Sequence, residues 1–272
     1  MKKILSIQSS VTAGFVGNAV AGPVLLALGH HPMLVDTISL AAHPGYGARA
    51  GGPLADDRFA DQIQGVMHLH GLDDIAMVVS GYLGSAGQIA PLSELVTAWR
   101  DSAGAKGDYI LDPVMGDAGR LYVAPALAAG IRGTLLPIAD IITPNQFELG
   151  YLSGTKITSR QSAVAAAKIL LAESRLKAVL ATGVSVAPQA GIGDIMITRD
   201  AAEIWQPASD TSHNVAGGGD LLTALFSGAL ATGLPLQDAF LHASKTAQAV
   251  IAASPSMRDL ALLENIERLR PA

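Results

Sequence analysis

Short apolar runs alternate with longer segments of helical periodicity along most of the chain. The runs at 4–7, 33–38, 75–79, 109–111, 140–142 and 178–181 predict strands. They are continuous rather than alternating, as strands buried on both faces of a sheet require. Between them, 19–28, 57–69, 88–100, 124–132 and 159–173 predict helices. Strands alternating with helices indicate βαβ units, and so an α/β fold with a mostly parallel central sheet and helices on both faces. Beyond Thr182 the pattern changes. Segments 194–198 and 203–207, parted by Arg199-Asp-Ala-Ala202, predict an antiparallel edge hairpin. Two Ala/Leu-rich helices at 220–232 and 236–253 follow, then a charged terminal helix near 258–270. No repeat, low-complexity segment or long linker interrupts residues 1–272, so a single domain is expected.

Composition narrows the function. Half the residues are hydrophobic but only 4% are aromatic, so the core is aliphatic. The absence of cysteine excludes disulfide scaffolds, Cys-ligated zinc, iron–sulfur clusters and thiol nucleophiles. A net charge of −5 without any Lys/Arg run argues against nucleic-acid or anionic-membrane partners. The apolar run after Met1-Lys-Lys3 is too short for a signal-peptide core, and no apolar run is long enough to span a bilayer. A cytoplasmic protein is expected.

In open α/β sheets ligands bind beyond the carboxyl ends of the strands. Several familiar motifs are missing there. There is no Gly-Lys-Ser/Thr loop, and Gly81-Tyr-Leu-Gly-Ser-Ala-Gly87 is not a dinucleotide fingerprint. Ser9 and Ser10 lack a nucleophile elbow. His68 and His70, two apart on a helix, point in different directions and cannot share a metal. What remains is Asn214-Val-Ala-Gly-Gly-Gly-Asp220 before an apolar helix. Gly217, Gly218 and Gly219 can turn backbone N–H groups toward an anion at the positive end of the helix dipole. Asp220 there reads either as a helix cap or as a base that takes a proton from an attacking hydroxyl. Asp112, Asp117 and Glu148 follow neighbouring strands, and oxygen ligands of that kind suit Mg²⁺.

These residues resemble the pyridoxal kinase family within the ribokinase-like superfamily of small-molecule kinases. The resemblance rests on Ser6-Ile-Gln-Ser9, Gly17-Asn18, His43-Pro-Gly-Tyr46, Ser80-Gly-Tyr-Leu-Gly-Ser85, Asp112-Pro-Val-Met-Gly-Asp117, Ala139-Asp-Ile-Ile-Thr-Pro-Asn-Gln-Phe-Glu148 and Gly217-Gly-Gly-Asp220, in family order over nearly the full length. It implies a ribokinase-like fold and transfer of the ATP γ-phosphoryl group to the 5′-hydroxymethyl of pyridoxal or a related B6 vitamer. By the same carry-over Ser9, Val16, His43 and Tyr82 line the pyridine pocket. Asp220 is the base, and the N–H groups of Gly217 to Asp220 form the anion hole. Asp112, Asp117 and Glu148 hold or orient Mg²⁺. Thr143, Asn145, Thr182 and Gly183 face ATP, and Tyr122 sits on a flap over the phosphates. A homodimer is implied as well.

Ala42 stands where the family has Asn, Pro44 where it has Thr, and Gly218 where Thr or Val is usual. The flap is short and carries no cysteine. Weaker discrimination among vitamers is therefore expected. A hydroxymethylpyrimidine kinase of thiamine synthesis and a non-catalytic vitamer-binding protein are the alternative readings. Joint retention of Asp220, Asp112 and Glu148 argues against the second, since a binder needs no base.

Overall fold

The computed structural model describes residues 1–47, 50–102, 106–185, 191–200, 203–207 and 215–271. Its strands are β1 (Lys3–Ala13), β2 (His31–Ala42), β3 (Gly51–Pro53), β4 (Ile75–Ser80), β5 (Tyr109–Leu111), β6 (Gly116–Asp117), β7 (Arg120–Leu121), β8 (Ile141–Ile142), β9 (Ala178–Ser185), β10 (Ile192–Thr198) and β11 (Glu203–Pro207). Nine of them form one sheet in the order β11-β10-β9-β8-β5-β4-β1-β2-β3, parallel from β9 to β2 and antiparallel at both edges. The expected edge hairpin is β10–β11; Ala201 and Ala202 of its connection and Asn214 of the glycine segment lie outside the described residues.

Each central strand divides its side chains between two cores. Leu5, Ile7, Val78, Tyr109, Leu111 and Ile142 face the helices Asp56–Met67, Ile89–Asp101 and Arg160–Glu173. Ile4, Met77, Val79, Ile110 and Ile141 face the helices Asn18–Ala27, Gly218–Thr232 and Leu236–Ala253. This explains the unbroken apolar runs: with both faces covered, odd and even positions are equally dry.

Four local features depart from the sequence reading. β1 and β2 are much longer than their apolar runs. β3 and the small β6–β7 hairpin have no apolar run at all. The helix Gln146–Ser153 was not anticipated; it starts at a capping box in which Asn145 and Glu148 bond each other's backbone N–H. The terminal segment is a 3₁₀ helix, Leu263–Leu269, rather than a long α-helix.

Asp140, at the entry to β8, is 2% exposed and fastens the far end of the sheet. It accepts the Tyr109 N–H at 2.9 Å and pairs with Arg100 and Arg175. Asp140→Ala strands a largely buried guanidinium, so a loss of about 3–5 kcal/mol is expected. Urea unfolding monitored by circular dichroism should show the midpoint fall with an unchanged m-value; an unmoved midpoint would mean the cluster is solvated in effect.

Candidate active site

A cavity of about 470 Å³ opens at the carboxyl ends of β5, β8 and β9, under the N-terminus of the Gly218–Thr232 helix. Twelve of the residues expected from the sequence line it: Asp112, Asp117, Tyr122, Thr143, Asn145, Glu148, Thr182, Gly183, Gly217, Gly218, Gly219 and Asp220. Ser9, Val16, His43 and Tyr82 are not among its walls.

Asp112 leaves β5 into the floor of this cavity and is 5% exposed. Thr223 donates to its Oδ2 at 3.1 Å, and Thr143 bonds both the Asp112 carboxyl and Thr223. Burial, then the charges of Glu148 and Asp220, push the Asp112 carboxyl well above its ordinary range.

Glu148 is 3% exposed. Its Oε1 accepts the Met115 and Gly116 N–H groups at 3.0 and 3.4 Å, and its Oε2 accepts the Asn145 N–H at 2.9 Å. Asn145 Nδ2 donates to the Gly116 carbonyl at 2.8 Å. Glu148 and Asn145 together hold the base of the β6–β7 hairpin. Ala118 and Gly119, both at positive φ, make its turn. The segment expected as a flap forms that hairpin, which delivers Asp117 and Tyr122 to the cavity rim. Tyr122 is half exposed at that rim, and its partial desolvation, followed by the charges of Glu148, Asp112, Asp220 and Asp117, raises its hydroxyl above the ordinary value.

Glu148 thus supports backbone rather than standing free at a strand end. Burial pushes its carboxyl up to about 7 despite the three N–H donors. A carboxyl raised on folding contributes stability that is lost as pH climbs from its unfolded value of 4.5 to its folded value. Glu148→Gln removes that slope, although it faces a donor with a donor and destabilises overall. Relative to the parent, the ligand-free variant should therefore recover stability between pH 5 and pH 8, by about 1.4 kcal/mol for each pH step between the unfolded and folded values. Paired melts across that range would detect it; a constant difference would mean Glu148 ionises normally.

Gly217 (φ 87°) caps the Gly218–Thr232 helix, and no side chain does. A Cβ on Gly217 would overlap the Phe15 carbonyl oxygen. The Gly218 N–H turns back to the Val215 carbonyl at 3.1 Å. The first-turn N–H groups of Gly219 and Asp220 are left without an intrahelical acceptor, so the donor set at the cavity is narrower than Gly217 to Asp220. Asp220 accepts the Gly17 N–H. It is therefore not a cap. Burial also raises its carboxyl, where the helix dipole alone had suggested a readily ionised group.

The other four expected residues surround the β1–helix connection. A Cβ on Gly17 would overlap the Ser9 carbonyl and hydroxyl, and one on Gly14 would stand 3.2 Å from the His43 ring. Val16 lies between these two glycines. Tyr82 follows β4, where the Thr37 hydroxyl donates to its carbonyl at 2.7 Å. His43 spends both nitrogens on the protein: Nδ1 accepts the Gly45 N–H at 3.1 Å, and Nε2 donates to the Arg258 carbonyl at 2.8 Å. Tyr46 donates to Asp259 and lies under the Arg258 guanidinium. Ala216 donates to the Met257 carbonyl at 3.0 Å. Residues 257–259 thereby clasp the 43–46 turn to the glycine loop. Sequence reasoning missed this clasp, the bond from Gly17 to Asp220, and Thr223. Thr223 alone left a signal, three positions after Asp220 on the same helix face.

Among the described residues no cluster of three or more His, Asp or Glu side chains would enclose a metal unaided. Asp112 and Asp117 nonetheless offer oxygen ligands at the cavity, and no ion pair among the described residues involves Asp112, Glu148 or Asp220. A hard cation that keeps waters and bridges substrate phosphates fits such a sparse carboxylate set. Among the described residues no helix is long and apolar enough to cross a membrane.

The phosphomethylpyrimidine kinase family model matches residues 17–262. The chain is 38% identical over 230 residues to a pyridoxal kinase of Leifsonia xyli subsp. xyli, covering 83% of this chain and 80% of that one. It is 35% identical over 245 residues to a pyridoxine/pyridoxal/pyridoxamine kinase of Bordetella avium, covering 89% and 82%. The crystal structure of Entamoeba histolytica pyridoxal kinase superposes with a TM-score of 0.90 at 27% identity, over 99% of this chain and 95% of that one. Leishmania donovani pyridoxal kinase with ADP and pyridoxamine gives 0.87 at 28%, over 99% and 96%.

Proposed function

We propose that this chain, which belongs to the pyridoxal kinase family of ribokinase-like small-molecule kinases, transfers the γ-phosphoryl group of ATP to the 5′-hydroxymethyl of pyridoxal in B6 salvage. The observation that carries this reading is Asp220, in the first turn of the Gly218–Thr232 helix, bonded to Gly17 on one side and facing the glycine-lined cavity on the other. One group there touches both halves of a site for two substrates.

In this reading the triphosphate lies in the cavity, between Thr143, Asn145, Thr182 and Gly183 and the first-turn N–H groups. The vitamer ring lies toward Ser9, Val16, His43 and Tyr82. His43, with both nitrogens engaged, contributes shape rather than a hydrogen bond. Asp220 takes the proton of the 5′-hydroxyl as its oxygen bonds to the γ-phosphorus. The bond from that phosphorus to the β,γ-bridging oxygen breaks, and ADP leaves. The N–H groups of Gly219 and Asp220 meet the charge that builds on the transferring group. Mg²⁺, when held by Asp112 and Asp117, supplies charge neutralisation of the phosphates that the absent Walker lysine does not; Glu148 orients the backbone around it. Tyr122 and the flap shield the phosphates from water. The protein acts in the cytoplasm as a homodimer.

Purified protein with ATP and Mg²⁺ should phosphorylate pyridoxal fastest. Ala42 and Pro44 replace ring-contacting polar residues, so pyridoxine and pyridoxamine should follow within about tenfold, the worth of one hydrogen bond. Much faster phosphorylation of hydroxymethylpyrimidine would keep the kinase and overturn the substrate. No phosphorylation of any of the four, with vitamer still bound, would make this a binding protein.

A further inference from the structure

Asp194 is a buried carboxylate in the wall of the cavity, 7% exposed. Its place in the sheet is irregular. Gly193 of β10 faces Val184 of β9, and Ile195 faces Ala181, so Asp194 alone faces two residues, Thr182 and Gly183. This is a β-bulge, with the extra residue on β9 and Gly183 at φ 60°. A bulge leaves ladder groups unpaired. Here the Gly183 N–H donates to Asp194 Oδ1 at 2.9 Å instead of to a backbone carbonyl of β10. Asp194 Oδ2 accepts the Ser244 hydroxyl at 2.5 Å and the Gln248 amide at 3.5 Å, both from the Leu236–Ala253 helix. On the other side of the bulge the Thr182 N–H donates to the Pro144 carbonyl at 2.9 Å, and Thr182 bridges to Asn145.

Both oxygens of Asp194 are therefore spent on protein groups, and no ion pair among the described residues reaches it. Burial pushes the carboxyl up, and its three donors pull it back. A charge kept at that cost, beside a cavity but with its acceptor sites filled, is suited to holding neighbours in place rather than to touching a ligand. What it holds is decisive for orientation. Loss of the bulge would slip β9 by one residue against β10, which turns side chains to the opposite face.

We propose that Asp194 is a positioning residue for nucleotide binding: by bonding the Gly183 N–H it maintains the bulge that presents Thr182 and Gly183 to the triphosphate. This rests on the reading of the cavity as the nucleotide site, but not on the identity of the phosphoryl acceptor. The full chain is tested with ADP and Mg²⁺ by titration calorimetry, and with ATP and pyridoxal by steady-state kinetics. Asp194→Ala should raise the ADP Kd and the ATP KM by about tenfold or more, the worth of a charge-assisted bond. Its kcat at saturating ATP and its pyridoxal KM should stay within about threefold of the parent. Asp194→Asn keeps an oxygen for Gly183 and should restore most of the nucleotide affinity. Ser244→Ala, which only loosens the carboxylate, should weaken ADP by a smaller factor and serves as the decisive variant if Asp194→Ala does not fold.

Unchanged ADP affinity in a folded Asp194→Ala or in Ser244→Ala overturns the proposal. Equal losses for both substrates and kcat, or no rescue by Asn, overturn it as well, since they indicate general disruption. A parent whose ADP affinity depends on Asp194 yet which phosphorylates no vitamer would refute the substrate assignment and leave this inference standing.

Discussion

Asp220→Asn is expected to lower turnover by roughly 10²–10⁴-fold, the usual worth of a positioned base. An alcohol is a poor nucleophile unless its proton leaves as the bond to phosphorus forms. In the proposed reading Asp220 is the carboxylate placed where the two halves of the site meet, and burial raises its carboxyl above its ordinary range. The asparagine keeps the shape, and its oxygen can still accept the Gly17 N–H. Removing a desolvated charge costs the fold nothing, so the melting temperature should not drop. ADP affinity should hold too, because the phosphates meet backbone N–H groups. Kinetics, calorimetry and melting on one preparation separate these quantities. A variant with parent-like turnover would reduce Asp220 to a packing partner of Gly17.

Gly217→Ala should be nearly as damaging for a different reason. At φ 87° an L-residue is strained, by about 1–2 kcal/mol, and the new Cβ meets the Phe15 carbonyl rather than open space. The loop can relieve the overlap only by moving, and it carries the first-turn N–H groups with it. Misplacing one such donor typically costs about 10²–10³-fold in kcat. Gly233 provides the control. It caps the other end of the same helix at φ 99°, and an added Cβ there would have nothing within 4 Å. Gly233→Ala should share the backbone strain and lower the melting temperature comparably, while turnover stays at the parent level. Loss of activity in both would trace the effect to the helix as a whole.

The sheet was legible because burial on both faces writes long apolar runs. Each parallel strand of the core from β1 to β9 overlaps one of those runs. The elements that escaped notice have no such run. β3 is Gly51-Gly-Pro53, and the flap strands are two residues each, fixed by Glu148 and Asn145 from elsewhere. The twelve expected residues that line one cavity were legible because they follow strand ends or open a glycine-rich helix start in recognisable motifs. Asp194 escaped because its meaning lies in a pairing irregularity, and no local pattern announces that two residues of β9 will face one of β10. The clasp escaped because it joins segments unrelated in sequence. His43 was singled out, but nothing near it says that its ring holds a carbonyl of residue 258.

That clasp bears on how the molecule is made. His43 and Arg258 are separated by 215 positions, whereas β4 and β5 or β8 and β9 join across one intervening helical segment or two. The entropy lost in closing a loop grows with its length, and contacts distant in sequence are late to form. The local βαβ contacts are therefore expected to form ahead of the clasp. The glycine loop has its bond to Met257 only when that closing segment is docked, so the completed site is expected among the last parts of the fold to form.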